Sequence, residues 1–227
     1  MNPITPAGLL AEVAAKSPKI SACAFMGRSF SYDELIKKAE DCARSFAAIG
    51  VHEGSRVLIY MPIIPQALAC FYGLNLLGAS AVFISAAPDG AGPADCLKEQ
   101  DIRAVVTTDS LYSRLAGTDG LPTTIIARPQ DAMGGLNRLR YRLTSGRRVK
   151  KLDDSYGLLT WDSFLQGGKA YRGEFRAEAL ADREALILCG GETTIITTAG
   201  FFGDTSPITG ILRAPTAGEA CVLSMAK

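Results

Sequence analysis

The sequence predicts an α/β protein in which helices cover both faces of a mostly parallel sheet. Short apolar segments rich in β-branched residues alternate with helical patterns, and the connections between them are short. Apolar residues make up 48% of the 227 residues, charged residues make up 21%, and the formal net charge is +1. These values are typical of a globular protein, and the near-neutral charge gives no general attraction to nucleic acid, so no nucleic-acid partner is expected.

The first predicted elements are a hairpin and an amphipathic helix. Residues 20–31, ISACAFMGRSFS, look like two short strands joined by a tight turn. Ser31 and Glu34 fit a capping box, because the hydroxyl and the carboxylate can each satisfy a free backbone amide at the helix start. Apolar residues then recur at helical spacing, and Gly50 lies where a left-handed cap is expected.

Five buried strands are predicted downstream, because each segment is short, apolar and bounded by turn residues. They lie at residues 56–61, 79–85, 102–108, 123–127 and 184–189, with one helix ending at Gly78 and another over 93–100. The pattern weakens between about residues 128 and 174. Within that stretch, residues 158–165 resume an ordered pattern, and Trp161 is interpreted as a core anchor.

The segment 138–151 is strongly basic. Its charged residues are Arg138, Arg140, Arg142, Arg147, Arg148, Lys150 and Lys151, with leucines and a tyrosine between them. One interpretation is a solvated, partly helical excursion whose long side chains lie along apolar surface. The other is a basic amphipathic patch that contacts anionic lipid or an acidic partner. Both interpretations remain open at this point.

Cysteine and histidine usage argues against a metal centre. Six cysteines are spread along the chain without a C-x-x-C pair, and His52 is the single histidine, so no metal site is expected. Most cysteines fall in apolar stretches, which indicates buried thiols in a reducing compartment. No signal peptide is recognisable, and no apolar run approaches the ~18 residues that span a bilayer. We therefore expect a cytoplasmic protein.

The order of these segments resembles the N-terminal region of adenylate-forming enzymes of the acyl-CoA synthetase type. The resemblance rests on Ser31-Tyr32-Asp33-Glu34-Leu35, on residues 50–57 (GVHEGSRV), on Met61-Pro62-Ile63, on Gly78-Ala79 to Pro88, and on IRAVVTTD. RLTSGRRVKK followed by WDSFL is similar to a segment of the long-chain fatty-acyl group. The resemblance covers roughly residues 20–192. It implies ATP and Mg²⁺ as cofactors, with a fatty acid and coenzyme A as reaction partners.

The resemblance also implies where ATP binds. The family has a loop of the form Ser/Thr-Gly-Gly-Thr-Thr-Gly-x-Pro-Lys-Gly after a strand in the position of 184–189, and its amides, hydroxyls and lysine hold phosphates. The residues here that agree with it are Gly190, Gly191 and Thr193. Glu192 places a carboxylate where a hydroxyl is expected, which repels a triphosphate, and the lysine place holds Thr197. The simpler interpretation of this stretch, which also stays open, is a strand followed by a glycine turn and a second β-prone segment.

Two parts of the chain are expected. Residues 1–191 resemble an incomplete synthetase N-terminal α/β domain. Residues 192–227 are expected to form an irregular tail, because they are rich in Gly, Pro, Ser and Thr, and a non-homologous origin of this tail stays open. The family's catalytic lysine, its magnesium-binding glutamate and its ribose-binding aspartate lie downstream of the phosphate loop. No catalytic residue is therefore predicted in this chain.

Two functional hypotheses follow. The first is a truncated acyl-CoA synthetase-like fragment that cannot form an acyl adenylate alone. The second is a non-catalytic binding or scaffold module that associates with another chain, or with itself, through apolar surface left uncovered. An unrelated nucleotide-binding domain lacks support, because no G-x-G-x-x-G or G-x-x-x-x-G-K-[ST] motif follows a predicted strand.

Overall fold

Two sheets and seven α-helices form the part of the chain that the computed structural model describes, namely residues 5–84, 92–144, 154–190, 193–204, 207–217 and 221–223. The strands are β1 (Ser21–Phe25), β2 (Arg28–Ser31), β3 (Arg56–Tyr60), β4 (Ser80–Ile84), β5 (Ile102–Thr108), β6 (Thr123–Ala127), β7 (Leu158–Thr160), β8 (Glu184–Cys189), β9 (Thr194–Thr197) and β10 (Cys221–Leu223). The helices are α1 (Pro6–Lys16), α2 (Tyr32–Ala48), α3 (Pro65–Leu77), α4 (Pro93–Glu99), α5 (Gly135–Leu143), α6 (Trp161–Ala170) and α7 (Pro207–Arg213).

The larger sheet has the strand order β7-β6-β5-β3-β4-β8-β9. Its pairings are parallel except the last, in which β9 runs antiparallel to β8. Successive side chains of β3, such as Leu58 and Ile59, point to opposite faces and are both buried, as in strands covered on both sides. The predicted α/β fold with a mostly parallel sheet is confirmed.

The N-terminal hairpin and its helix are also as predicted. β1 and β2 pair antiparallel, and both residues of the connecting turn, Met26 and Gly27, have positive φ, which suits a tight hairpin turn. The Ser31 amide donates to Glu34 Oε2 at 2.9 Å, and the Glu34 amide donates to Ser31 Oγ at 3.3 Å. This capping box starts α2, and β10 extends the small sheet by pairing parallel with β1.

One face of the larger sheet carries a thick helical layer built from α1, α2, α3 and α6. α3 is buried on all sides from Pro65 to Leu74 because it lies under α2. The two helices cross at Gly73, where an added Cβ would lie 2.7 Å from the Ala39 carbonyl oxygen. α6 packs on α2 through Phe46 and Phe164, whose ring centroids are 4.9 Å apart.

The opposite face is covered by fewer of the described residues. Its buried cluster consists of Leu58, Val82, Cys96, Val105, Leu115, Ile187 and Cys189. α4 contributes Cys96, and the turn after β5 contributes Leu115. Helices therefore lie on both faces of the sheet, but the two layers differ in depth.

The segment after Cys189, expected to be irregular, contains three short elements, β9, α7 and β10, with turns between them. Several of its side chains are part of the core. Phe201 is fully buried and stacks on Phe71 at 5.3 Å, and the Tyr72 hydroxyl donates to the Leu212 carbonyl at 2.5 Å. Elements of three to seven residues are too short to show a period in the sequence. The division of the chain at residues 191 and 192 stays a prediction.

Membrane-spanning structure was not expected from the apolar runs. Among the helices that the model describes, none combines the length and the apolar character required to cross a bilayer.

Candidate functional site

The carboxyl edge of the larger sheet is the place where this topology favours ligand binding. The chain leaves β3 toward α3 on one face and leaves β4 toward α4 on the other face. Adjacent strands whose connections leave in opposite directions form a crevice, and open α/β sheets bind ligands there. β8 pairs parallel with β4, from Ala81 opposite Leu186 to Ile84 opposite Cys189. The segment after Cys189 therefore lies one strand from the crevice.

The predicted phosphate-loop residues lie in the hairpin between β8 and β9. Gly190 directly follows β8 and is half-buried, and Thr193 directly precedes β9 and is exposed. The last described pair of the hairpin is Leu188 opposite Thr194, so the two strands hold both residues at the carboxyl edge. Gly191 and Glu192 lie outside the described residues.

Thr197, which occupies the family's lysine place in the sequence, lies at the other end of this hairpin. It is paired with Glu184, the first residue of β8, and its hydroxyl accepts a hydrogen bond from the Gly200 amide at 3.1 Å. Three residues along a strand separate Thr197 from Thr194, which is about 10 Å at ~3.4 Å per residue. The strand geometry therefore keeps this position away from the loop, which linear comparison of the sequences did not reveal.

The loop offers donors but little positive charge. The Thr193 hydroxyl and the Gly190 amide can donate to a phosphate oxygen, whereas the sequence from Glu184 to Asp204 contains neither lysine nor arginine. Glu192 adds a negative charge in sequence. The residues present thus fit the hydrogen-bonding needs of a phosphate but not the charge of a triphosphate.

Two charged groups at this edge lie near the ends of β3 and β5. Asp109 follows β5, and partial burial raises the pKa of its carboxyl, although the Ser110 amide and the nearby Arg128 oppose that shift. Arg114 lies near the end of β3, with Nη1 3.5 Å from the Tyr60 hydroxyl. These groups belong to the other side of the crevice from Gly190.

Two cysteines are in contact where β8 ends, directly before the loop. Cys96 of α4 and Cys189 at the end of β8 are buried, with their Sγ atoms 3.0 Å apart. Burial, then the neighbouring Cys189 thiol, raises the pKa of Cys96 well above its usual range. The Cys96 thiol therefore stays protonated, and its contact with Cys189 joins α4 to the strand that precedes the loop. Sequence inspection gave no signal for this contact, because 93 positions separate the two cysteines.

The expectation of buried thiols is confirmed for the cysteines whose side chains are described. Cys23, Cys42, Cys70, Cys96 and Cys189 are all buried. The side chain of Cys221 lies outside the described part of the chain.

A cavity of about 100 Å³ lies between the small hairpin and helices α2, α3 and α6. Trp161 lines it and packs on Phe164, with ring centroids 5.5 Å apart, in keeping with the predicted core role. Gln66 also lines it and donates through Nε2 to the Arg128 carbonyl at 3.1 Å, while its Oε1 has no partner among the described residues. Ordered water is the simplest occupant of a cavity of this kind.

Comparison with protein families gives a match that spans more than half of the chain. The model described as AMP-binding enzyme matches residues 10–147. The matched range contains β1 to β6 and ends before the loop at Gly190. It therefore supports the sheet and helix framework and leaves the loop residues untested.

Curated relatives are similar over a limited part of their length. The chain is 31% identical over 83 residues to acetyl-coenzyme A synthetase 1 of Candida albicans, an alignment that covers 37% of this chain and 12% of the relative. It is 30% identical over 91 residues to a crotonobetaine/carnitine–CoA ligase of Salmonella typhimurium, covering 40% of this chain and 18% of the relative. The chain thus matches less than a fifth of the length of these relatives.

Solved structures match the fold over almost the whole chain. Coronafacic acid ligase from Pectobacterium brasiliense superposes with a TM-score of 0.75 at 12% identity, covering 97% of this chain and 45% of the ligase. A benzoate CoA ligase from Burkholderia xenovorans superposes with a TM-score of 0.72 at 17% identity, covering 98% and 46%. At these identities the match concerns the fold alone, and the chain spans about half of each ligase.

Proposed function

The chain belongs to the AMP-binding enzyme family, and from this premise we propose that it is the N-terminal α/β part of an adenylate-forming acid–CoA ligase. The single observation that carries the proposal is the position of Gly190 and Thr193. They lie between β8 and β9 at the carboxyl edge, one strand from the crevice between β3 and β4, where this topology binds ligands.

We further propose that this chain alone does not activate a carboxylic acid. ATP would supply the adenylyl group for that activation, and binding a triphosphate requires that its charge be balanced. The loop has a hydroxyl and amides, the sequence from Glu184 to Asp204 contains no lysine, and Thr197 is held about 10 Å from Thr194 along β9. We therefore propose that the loop has the position of a phosphate loop but lacks the positive charge that would attract phosphates.

The family indicates the general class of the two substrates, the acid that is activated and the thiol that accepts it. The relatives named above are an acetyl-coenzyme A synthetase and a crotonobetaine/carnitine–CoA ligase, which supports a carboxylic acid and coenzyme A as partners of the complete enzyme. A long-chain fatty acid is a narrower proposal. It rests only on the similarity of the basic segment and WDSFL to the long-chain group.

A substitution in the loop tests whether it is a phosphate loop at all. Glu192→Lys replaces the repelling carboxylate with the cation that the loop lacks, so MgATP should raise the melting temperature of the variant more than that of wild type. Glu174→Lys makes the same change of charge at an exposed glutamate away from the loop and is the matched control. If Glu192→Lys and Glu174→Lys respond alike to MgATP, the assignment of the loop is wrong.

Isotope exchange between pyrophosphate and ATP tests the activity itself. We expect no exchange by the wild-type chain with acetate, medium-chain or long-chain acids. Robust exchange with any of them would refute the proposed lack of activity and would identify the acid.

Light scattering tests separately the hypothesis of a scaffold that self-associates. Such a scaffold must have the mass of an oligomer whether or not MgATP is present.

A further inference from the structure

Helix α5 presents one polar face to the protein and one apolar face to solvent. On the inner side, Asn137 Nδ2 donates to the Met26 carbonyl at 2.7 Å, and Arg138 Nε donates to the Gln130 carbonyl at 2.9 Å. Tyr141 packs against the main core. These contacts fix the rotation of the helix, so its outer face is presented in a defined orientation.

Three leucines form that outer face. Leu136 is 75% exposed, Leu139 54% and Leu143 53%. Their spacing of three and four residues places them on one stripe of a helix. Scattered exposed leucines need no explanation, but an ordered apolar stripe on a rigid helix marks an interaction surface.

An arginine lies beside the stripe, and the sequence of this region is strongly basic. Arg140 is exposed and lies on the leucine side of the helix, since it follows Leu136 by four positions. In the sequence, residues 138–151 contain seven basic residues and no acidic one, although the whole chain has a formal net charge of only +1. Positive charge is therefore concentrated in this segment while the remainder of the chain is net negative.

We propose that α5 binds an anionic lipid surface, lying in the plane of the interface with Leu136, Leu139 and Leu143 among the acyl chains. A helix whose apolar stripe lies beside Arg140, in a strongly basic stretch of sequence, matches a surface that is apolar beneath a layer of negative headgroups. Docking of a second copy on the same face would bring the Arg140 side chains of the two copies close to each other, and like charges oppose that arrangement. Lipid therefore fits the charge and the apolar stripe together.

Vesicle sedimentation with the full chain tests the proposal. Wild type should pellet with vesicles of phosphatidylcholine mixed with phosphatidylglycerol, should pellet less as salt rises, and should stay in solution with phosphatidylcholine alone. The Leu136→Ser, Leu139→Ser, Leu143→Ser triple variant should bind on the order of 30-fold more weakly, because three partly inserted leucines are lost. Arg140→Gln should bind about 5-fold more weakly.

The matched control removes exposed apolar side chains elsewhere. Ile20, Leu180 and Ile195 are 58%, 41% and 50% exposed, and their triple serine variant should bind like wild type. Circular dichroism should show that both triple variants keep the fold.

Three results would overturn the proposal. The first is wild type that stays in solution with anionic vesicles even at low salt. The second is equal loss of binding in both triple variants. The third is oligomerisation, or capture of an acidic protein, that depends on the three leucines while vesicle binding does not.

Discussion

The two faces of the larger sheet are built differently. One face is covered by α1, α2, α3 and α6, with large aromatic side chains such as Phe46, Phe71 and Phe164 fully buried. The other face is covered by α4 and a short turn, and its buried residues are aliphatic side chains and two cysteines. The thick face holds most of the apolar burial, whereas the thin face supports the strand end that precedes the candidate loop. Stability and site geometry therefore depend on different residues.

Adjacent residues of β3 test that comparison most strongly. Ile59 points into the thick face and Leu58 into the thin face, and both are buried. Substituting a buried Ile or Leu by Ala costs about 2–5 kcal/mol, and the cost rises where neighbours cannot collapse into the space. We expect Ile59→Ala near the upper end and Leu58→Ala near the lower end in urea unfolding. Equal costs, or a larger cost for Leu58→Ala, would show that the faces are equally rigid.

A pair of adjacent glycines in α6 tests how closely the thick face is packed. A Cβ at Gly168 would lie 2.8 Å from the Ser45 amide nitrogen, whereas a Cβ at Gly167 would meet nothing within 4 Å. Gly168→Ala should destabilise by about 1–3 kcal/mol, because backbone would have to move. Gly167→Ala should stabilise by about 0.5–1 kcal/mol, because alanine favours the helix. Thermal melts that rank the two variants in the opposite order would contradict the close α2–α6 contact.

Long, regular elements were predicted well from the sequence, and short or irregular ones were not. The capping box at Ser31 and Glu34 and the cap at Gly50 are local signals, and each was visible without tertiary information. The core positions of Phe201 and Leu212 were not predictable, because they arise from packing of short elements against α3. The contact of Cys96 with Cys189 is likewise tertiary.

The candidate loop was only partly predictable from the sequence. Its position after β8 followed from counting strands, and the structure has that strand where it was expected. The displacement of Thr197 from the loop required the register of β9, which depends on Glu184 as its partner. A sequence alignment matches residues by their order in the chain, so it does not show which residues of two strands are paired.

The thin face makes a prediction about pH. Because burial raises the pKa of Cys96, its thiol stays protonated in the folded chain after the thiol of the unfolded chain has ionised. The contribution of Cys96 to stability is therefore present below the unfolded pKa of about 8.5 and declines above it, by up to about 1.4 kcal/mol per pH unit. The difference in unfolding free energy between wild type and Cys96→Ala should shrink between neutral and alkaline pH. A pH-independent difference would contradict the neutral buried thiol.

The smallest expected effect on stability is that of a substitution at the start of α6, one of the helices on the thick face. Asp154 is exposed and accepts hydrogen bonds from the Ser163 hydroxyl and from the Thr160 amide, and these lower the pKa of its carboxyl below 3.8. Its support of α6 is present above pH 3.8 and is lost as pH falls through the lowered pKa. Asp154→Asn should therefore lower the melting temperature slightly at neutral pH and leave it unchanged in strong acid. An equal decrease at both pH values would assign the effect to something other than the carboxylate.

The central claim is that the hairpin after β8 has the position of a phosphate loop but lacks its positive charge. Isothermal titration calorimetry of the wild-type chain with MgATP tests this claim most directly. No saturable binding is expected, because the donors at Gly190 and Thr193 cannot balance the net negative charge of MgATP without a cationic side chain. Saturable binding of MgATP that Thr193→Ala weakens would contradict it, since the loop would then hold the triphosphate with the residues it has.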